Sequence, residues 1–273
     1  MTDPLRPLGK EDGAALPSLL EAAVSFAHEA GEITLRHFGG VLAAESKSDG
    51  TPVTRADREA ETLLRSRIRA AYPDHSVLGE EFGAEEGRAP VRWILDPIDG
   101  TRAFMRGVPL YAVLIGIEVR GLPAVGVAHF PALAETVAAA HGVGCRWWRG
   151  ADRTPVPASV SRVDSRSKAL ALTTSVDRVR SSAIGPGWEA LANSVEYTRG
   201  WGDAYGHILV ATGRAEVMVD PVLSSWDAAP LLPIVREAGG RFTDLAGKET
   251  IHGGSGVSTN GRLHGEVLAV LNG

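Results

Sequence analysis

The chain has 273 residues, 44% hydrophobic and 22% charged, enough to bury a large core as one domain or two closely packed halves. Its formal net charge of -5 gives no basic footprint for nucleic acid, and no apolar run is long enough to span a membrane. A single cysteine, Cys145, excludes an internal disulfide framework and fits a reducing cytoplasm, where it reads as a small packed residue and not as a nucleophile.

Residues 1–13 are rich in Pro, Gly and charge. They read as a loose tail without the apolar core of a signal peptide. The spacing of Leu19, Leu20, Ala23, Val24, Ala27 and Ala30 predicts an amphipathic helix over 16–38, ended by Gly39-Gly40. Residues 41–47 and 52–53 flank Asp49-Gly50, the dipeptide of a tight hairpin whose tip is placed to close over a site. Thr54-Arg55-Ala56-Asp57 has the capping-box form, with Asp in place of Glu or Gln, and opens a second helix to 71 with Leu63, Leu64 and Ile68 on one face. Asp57 reads either as a first-turn acid favoured by the helix dipole or as a carboxylate that orients an attacking water. The acids elsewhere in the chain favour the second. Residues 72–74 break the helix, and the apolar run 76–79 leads into Glu80-Glu81 ahead of a Gly-rich loop at 82–87. A solvated charge pair is the plain reading; Glu80 is the candidate metal ligand.

Trp93-Ile94-Leu95-Asp96-Pro97-Ile98-Asp99-Gly100-Thr101 organises the chain. Three apolar residues predict a short buried strand, Asp96 stands at its end, and Pro97 forbids its continuation. Asp99 comes three positions later, before Gly100-Thr101 and the helical start Arg102-Ala103-Phe104. Two carboxylates on a rigid strand-to-helix turn suit a hard cation such as Mg²⁺. The N–H groups of Gly100 and Thr101 would open the helix and attract phosphate. The plain alternative is a strand, a turn and an Asp N-cap.

Segments 111–119, 124–130, 136–140 and 145–148 read as strands of one sheet, with Trp147-Trp148 packing in a core or interface rather than serving as a stacking platform. Residues 150–168 read as the connection between halves spanning 14–150 and 151–273. A strand at 169–173 and a short helix at 188–193 follow. Gly202-Asp203-Ala204-Tyr205-Gly206 introduces an apolar helix to 211, and a strand at 216–219 delivers Asp220. Ser225-Trp226-Asp227 starts a helix, with Pro230 tolerated in its first turn and Pro233 deeper in, that ends at Gly239-Gly240. Strands at 241–244 and 256–259 and a helix at 263–271 close the chain.

Glu80 in Gly-Glu-Glu, the run Asp96 to Thr101, and Trp226-Asp227 before a helix ending in Glu237-Ala238-Gly239-Gly240 together resemble the inositol monophosphatase superfamily over nearly the whole chain. The resemblance implies an α+β, layered αβαβα sugar-phosphatase fold, two or three Mg²⁺ ions per site, a small-molecule phosphomonoester substrate and a homodimer, with neither nucleic acid nor membrane as partner. It also implies roles. Glu80, Asp96 and the Ile98 carbonyl would hold one metal; Asp96, Asp99 and Asp227 would hold the second. Asp57, Thr101 and Glu80 would serve catalysis, the first two by positioning the water. Asp99, Gly100 and Thr101 would surround the phosphate. The variant Thr101-Arg102-Ala103-Phe104, with Trp201 to His207 and Val217 to Pro221, is similar to the bacterial histidinol-phosphate phosphatases of this superfamily. That likeness implies substrate contacts from Arg102, Asp203, Ala204 and Asp220, with the two acids at the mouth of the site facing the amine and imidazole of L-histidinol phosphate. For Asp203 an N-cap role stands equal beside this one. The rival readings are an inositol-1-phosphate or broad sugar-phosphate phosphatase and, in another class, a non-catalytic regulatory binding module, which would be expected to lack some of the five acids.

Overall fold

The computed structural model describes residues 9–39, 45–46, 52–150 and 154–273. Helix α1 (Lys10–His37) begins inside the stretch predicted to be a loose tail. Asp12 accepts the Gly9 N–H at 3.1 Å and pairs with Arg120 at 3.1 Å, which ties this first turn to the sheet. The strand pair β1 (Glu45–Ser46) and β2 (Pro52–Val53) is antiparallel as expected; the Asp49-Gly50 turn and residues 1–8 lie outside the described residues. Helix α2 (Arg55–Ala71) starts at the predicted capping box, where Asp57 accepts the Thr54 N–H at 2.8 Å.

Next come β3 (Ser76–Gly79), β4 (Gly83–Glu85), β5 (Val91–Asp99), the short α3 (Thr101–Met105), β6 (Ala112–Val119), β7 (Leu122–Phe130), β8 (Glu135–Ala140), β9 (Gly144–Arg149) and β10 (Val156–Pro157). These strands form one sheet in the order β10-β9-β8-β7-β6-β5-β3-β4. The stretch 82–87, predicted as a loop, thus supplies an edge strand, because β4 pairs back onto β3. A second sheet follows, built from β11 (Leu170–Leu172), β12 (Tyr197–Arg199), β13 (Val217–Asp220), β14 (Arg241–Thr243) and β15 (Gly256–Thr259) in the order β12-β11-β13-β15-β14. Its helices are α4 (Val176–Ser181), α5 (Gly185–Ala192), α6 (Ala204–Ala211), α7 (Ser225–Glu237) and α8 (His264–Asn272).

Burial orders these elements into the αβαβα layers. Leu16, Leu20, Ala23 and Ala27 of α1 and Leu64 and Ile68 of α2 pack on Trp93, Leu95, Val113, Ile115 and Val125 of the first sheet. On its other face Ile94, Leu114 and Ala128 meet Ile208 of α6 and Leu231, Leu232 and Val235 of α7, with Phe242 beyond them. Val179, Trp188, Leu191, Val267 and Leu271 of α4, α5 and α8 cover the outer face of the second sheet. The alternation along β5 and β6 is what divides the two cores: odd and even positions face opposite sides. Cys145 is buried and its thiol is pushed up to about 12, chiefly by burial. Trp147 lies under the guanidinium groups of Arg149 and Arg214, at 4.1 and 4.6 Å, and donates to Glu135 at 2.7 Å. It packs at the edge of the central layer, as predicted for it.

Two glycines set how deeply α7 sits. Gly116 of β6 and Gly126 of β7 are directly paired across the strands. A Cβ on Gly116 would lie 2.5 Å from the Ala229 Cβ, and one on Gly126 would lie 2.1 Å from the Pro230 carbonyl oxygen. Only a bare backbone at both positions lets the first half of α7 rest on the sheet.

Candidate active site

In the first sheet, β3 and β5 are parallel, while the other adjacent pairs run antiparallel. Parallel pairing brings two C-terminal ends together. Gly79 stands opposite Leu95, and the Glu80 N–H donates to the Leu95 carbonyl at 3.1 Å, so Glu80 leaves β3 beside Asp96.

Pro97 does not end β5. The ladder to β6 runs Asp96 opposite Leu114 and then Asp99 opposite Ala112, with a register shift between. Pro97 falls in that irregularity, where a ladder N–H is not required. The extra residues turn both carboxylates to one side, and Asp96 accepts the Ile98 N–H at 3.0 Å. Gly100 then takes φ +78°, and a Cβ there would sit 2.9 Å from the Leu110 carbonyl oxygen. A left-handed residue with no side chain is needed to enter α3.

Asp227 arrives from the first turn of α7. Its Oδ2 accepts the Ser224 N–H at 2.9 Å, the same capping device that holds Asp57. Each of these two helices therefore fixes one carboxylate oxygen to its own N-terminus. Carboxylate oxygens of Asp96, Asp99 and Asp227 all lie within 4.8 Å of one another. Among the described residues, none of the ion pairs involves these three acids.

Such crowding has an electrostatic signature. Asp96 is held well above the usual carboxylate range by burial, then by Glu80, Asp227 and Asp99. Asp99 is likewise raised well above it, by burial and then by Asp203 and Asp227, against the opposing Ala204 N–H. Asp227 is raised to about 7 by burial, against the opposing Ser224 N–H. Asp57 is raised by burial, against its bonds to Thr54. Uncompensated carboxylates of this kind, all oxygen donors, fit a hard divalent cation of the Mg²⁺, Ca²⁺ or Mn²⁺ class.

Asp57 is 1% exposed, and its Oδ2 also accepts the Thr54 hydroxyl at 2.6 Å, which leaves Oδ1 for another partner. The Thr101 hydroxyl donates to the Ile98 carbonyl at 3.1 Å; that carbonyl keeps a second lone pair. Thr101 is half-buried and Arg102 exposed.

The second half of the chain closes the site from one side. The Asp99 Oδ2 accepts the Ala204 N–H at 2.8 Å, so an acid on β5 caps α6. Asp203, at the N-cap position itself, makes no side-chain cap bond and has φ +52°. A non-glycine residue there stores strain, which structures retain mainly at functional sites. This removes the N-cap reading of Asp203: its Oδ2 points at the Gly100 turn, 3.2 Å from where a Cβ on Gly100 would be. Its carboxyl is raised to about 6 by burial and by Asp220, against Arg178 and Arg102. Asp220 is not at a mouth. It is 3% exposed as the last residue of β13, and accepts the Thr174 N–H at 3.2 Å. Its Oδ2 is 3.2 Å from His207 Nε2, and His207 Nδ1 is 2.7 Å from the Ser258 hydroxyl. Thr174 also accepts the Asp203 N–H, at 2.8 Å. Thr174 and Ser258 escape sequence reading because they act from distant segments, Thr174 on Asp203 and Asp220 from the bend after β11 and Ser258 on His207 from β15; nothing local marks them.

The family model described as the inositol monophosphatase family matches residues 15–272. The chain is 42% identical over 254 residues to the histidinol-phosphatase of Chlorobaculum parvum, covering 92% of this chain and 96% of that one. It is 41% identical over 267 residues to the histidinol-phosphatase of Mycobacterium tuberculosis, covering 93% and 97%. Among solved structures, the Thermotoga maritima IMPase superposes with a TM-score of 0.82 at 31% identity, covering 93% of this chain and 97% of that one.

Proposed function

The chain belongs to the inositol monophosphatase family, and on that premise we propose that it hydrolyses L-histidinol phosphate to L-histidinol and phosphate. The observation that carries the reading is the acid Asp203 set against the Gly100 turn, beside the Asp96, Asp99 and Asp227 cluster. A phosphate-binding turn with a carboxylate at its flank favours a substrate that carries a cation next to its phosphate. L-histidinol phosphate has an amine and an imidazole. The likeness to relatives named histidinol-phosphatase supports the same choice.

On this reading Glu80, Asp96 and the Ile98 carbonyl hold one Mg²⁺ and Asp96, Asp99 and Asp227 a second. Bound there, the cations would neutralise the phosphate and activate a water. The N–H groups at the start of α3 have no helical partners of their own and take up phosphate oxygens. Asp99, an acceptor only when ionised, would serve by holding the cation and not by bonding the phosphate oxygens itself. Asp57 Oδ1 and the Thr101 hydroxyl orient the attacking water, and Asp57 accepts its proton. A new P–O bond forms between the water oxygen and phosphorus, and the ester P–O bond breaks. The leaving oxygen takes a proton from solvent water and Asp57 gives its proton back to solvent, so that no net proton is lost or gained at the site. Asp203 pairs with the substrate cation; Asp220, held by His207, backs it electrostatically, and Ala204 and Arg102 border the pocket. On the same reading the enzyme works in the cytoplasm as a homodimer.

The test is phosphate release with Mg²⁺ on two substrates. The kcat/KM for L-histidinol phosphate should exceed that for inositol-1-phosphate by about a hundredfold, roughly 2.7 kcal/mol of differential transition-state binding. Equal values would favour a broad sugar-phosphate phosphatase, and no hydrolysis of any phosphomonoester would favour the regulatory module.

A pH dependence follows from the raised acids. With Asp227 at about 7, a proton competes with Mg²⁺ below neutrality. Apparent Mg²⁺ affinity should therefore fall at least about tenfold between pH 8 and pH 6, with protons released on binding. The sign for folding is the reverse. A raised folded-state value means that the group's contribution to stability is present below its unfolded value and lost as pH rises through the folded one. The Mg²⁺-free protein should melt lower at pH 8 than at pH 5.5, with Mg²⁺ removing the difference. Calorimetric titration across this range checks both; a flat affinity would contradict the assignment of these acids.

A further inference from the structure

Glu61 lies on α2 one turn beyond Asp57 and is fully buried, at 0% exposure. A buried carboxylate is costly unless it is well bonded, and this one is. Its Oε2 accepts the Glu81 N–H at 2.8 Å, and its Oε1 accepts the Phe82 N–H at 3.2 Å. Arg65, one further turn along, donates from Nε to Oε1 at 2.8 Å. Arg65 also donates to the Gly83 carbonyl and lies 5.9 Å over the Phe82 ring. Opposite, the Gly79 backbone presses on the carboxylate: a Cβ there would be 2.0 Å from Oε1. Glu61 thus bonds the two residues after Glu80 and packs against the bare backbone of the glycine before it, from the same helix face that carries Asp57.

We infer that Glu61 is a positioning residue which, with Arg65, sets the turn that presents Glu80 to the acid cluster and so sets divalent-cation affinity. The inference rests on the reading of Glu80 as a metal ligand. Two strands and one helix meet at this turn. Glu80 is otherwise anchored by its own N–H on β5, which fixes its backbone but not the path of the residues that follow. Glu61 supplies acceptors for the next two N–H groups, neither of which has a place in the ladder. A neutral amide at the same position keeps the shape, loses the charge that Arg65 and both amides use, and turns one donor toward donors.

The experiment uses the full chain with Glu61→Gln. Mg²⁺ binding is followed by calorimetry, and amide hydrogen exchange of Glu81 and Phe82 is followed without Mg²⁺. The expected result is a Mg²⁺ Kd weaker by tenfold or more, in the range seen when partners behind a metal ligand are lost. Exchange at those two amides should speed up while the sheet stays protected, and kcat should recover at saturating Mg²⁺. A folded Glu61→Gln protein with the wild-type Kd overturns the inference, and so does unchanged exchange at the two amides. If Glu61→Gln does not fold, Arg65→Gln replaces it: a Kd weakened threefold or more supports the inference, and the wild-type Kd overturns it. If the wild type itself binds no Mg²⁺, the metal reading of the site falls and takes this inference with it.

Discussion

Asp96→Asn should lower kcat/KM by roughly a thousandfold or more, about 4 kcal/mol of transition-state stabilisation, without lowering the stability of the Mg²⁺-free protein. Asp96 is the one side chain assigned to both proposed cation positions, and it is 2% exposed. Asparagine keeps an oxygen for the Ile98 N–H, which Asp96 Oδ1 accepts at 3.0 Å, but removes the charge. In the Mg²⁺-free protein that charge is a burden: burial and the neighbouring Glu80, Asp227 and Asp99 hold the carboxyl well up. A raised folded-state value costs stability as pH rises, so the variant at pH 8 should melt at or above the wild-type temperature. Phosphate release and thermal unfolding, measured side by side, check the two halves. Turnover within tenfold of wild type would sink the two-cation assignment. Lost turnover with a fall of several degrees would make Asp96 a structural residue instead.

Gly126→Ala should be strongly destabilising for the addition of a single methyl. The added Cβ would meet the Pro230 carbonyl oxygen at 2.1 Å and two further backbone atoms of Pro230 within 2.9 Å. Backbone cannot rotate away as a side chain can, so α7 must lift from the sheet. Overpacking of this kind costs about 3 kcal/mol, the upper end of its usual range, which lowers Tm by roughly 6–12 °C for a chain of this size. Asp227 is three residues before Pro230, so the same shift should draw its carboxylate from Asp96 and weaken Mg²⁺ binding. Gly13→Ala is the control: it lies exposed in α1, where a Cβ meets nothing within 4 Å. There alanine should leave Tm unchanged or raise it, since glycine inside a helix is unfavourable by about 1 kcal/mol. Equal Tm values for the two variants would refute the close packing of α7 on the paired glycines.

The sequence by itself determined what is local. Capping boxes at Thr54 and the spacing of apolar residues in α1 and α2 act over three or four positions, so they can be read directly. Acid-Pro-x-acid-Gly-Thr keeps its chemistry within six residues, and the family likeness it carries is matched by the family model over residues 15–272. The tertiary structure decided what depends on residues far apart in the chain. Pro97 stays within β5 because the partner strand β6 accommodates a register shift there, which no property of Pro97 announces. Asp203 makes none of the cap bonds its position suggests: its backbone takes a positive φ of +52°, its carboxylate faces the Gly100 turn, and Asp99 from the first sheet takes the Ala204 N–H. Asp220 turns inward because His207 and Thr174 occupy its oxygens. Glu61 reads as an ordinary helix acid until β3 and β4 are folded against it. Each of these is a competition for a hydrogen bond or a packing space, and its winner comes from another strand or helix. Local pattern fixes which groups are offered; only the assembled sheets and helices decide which partners they keep.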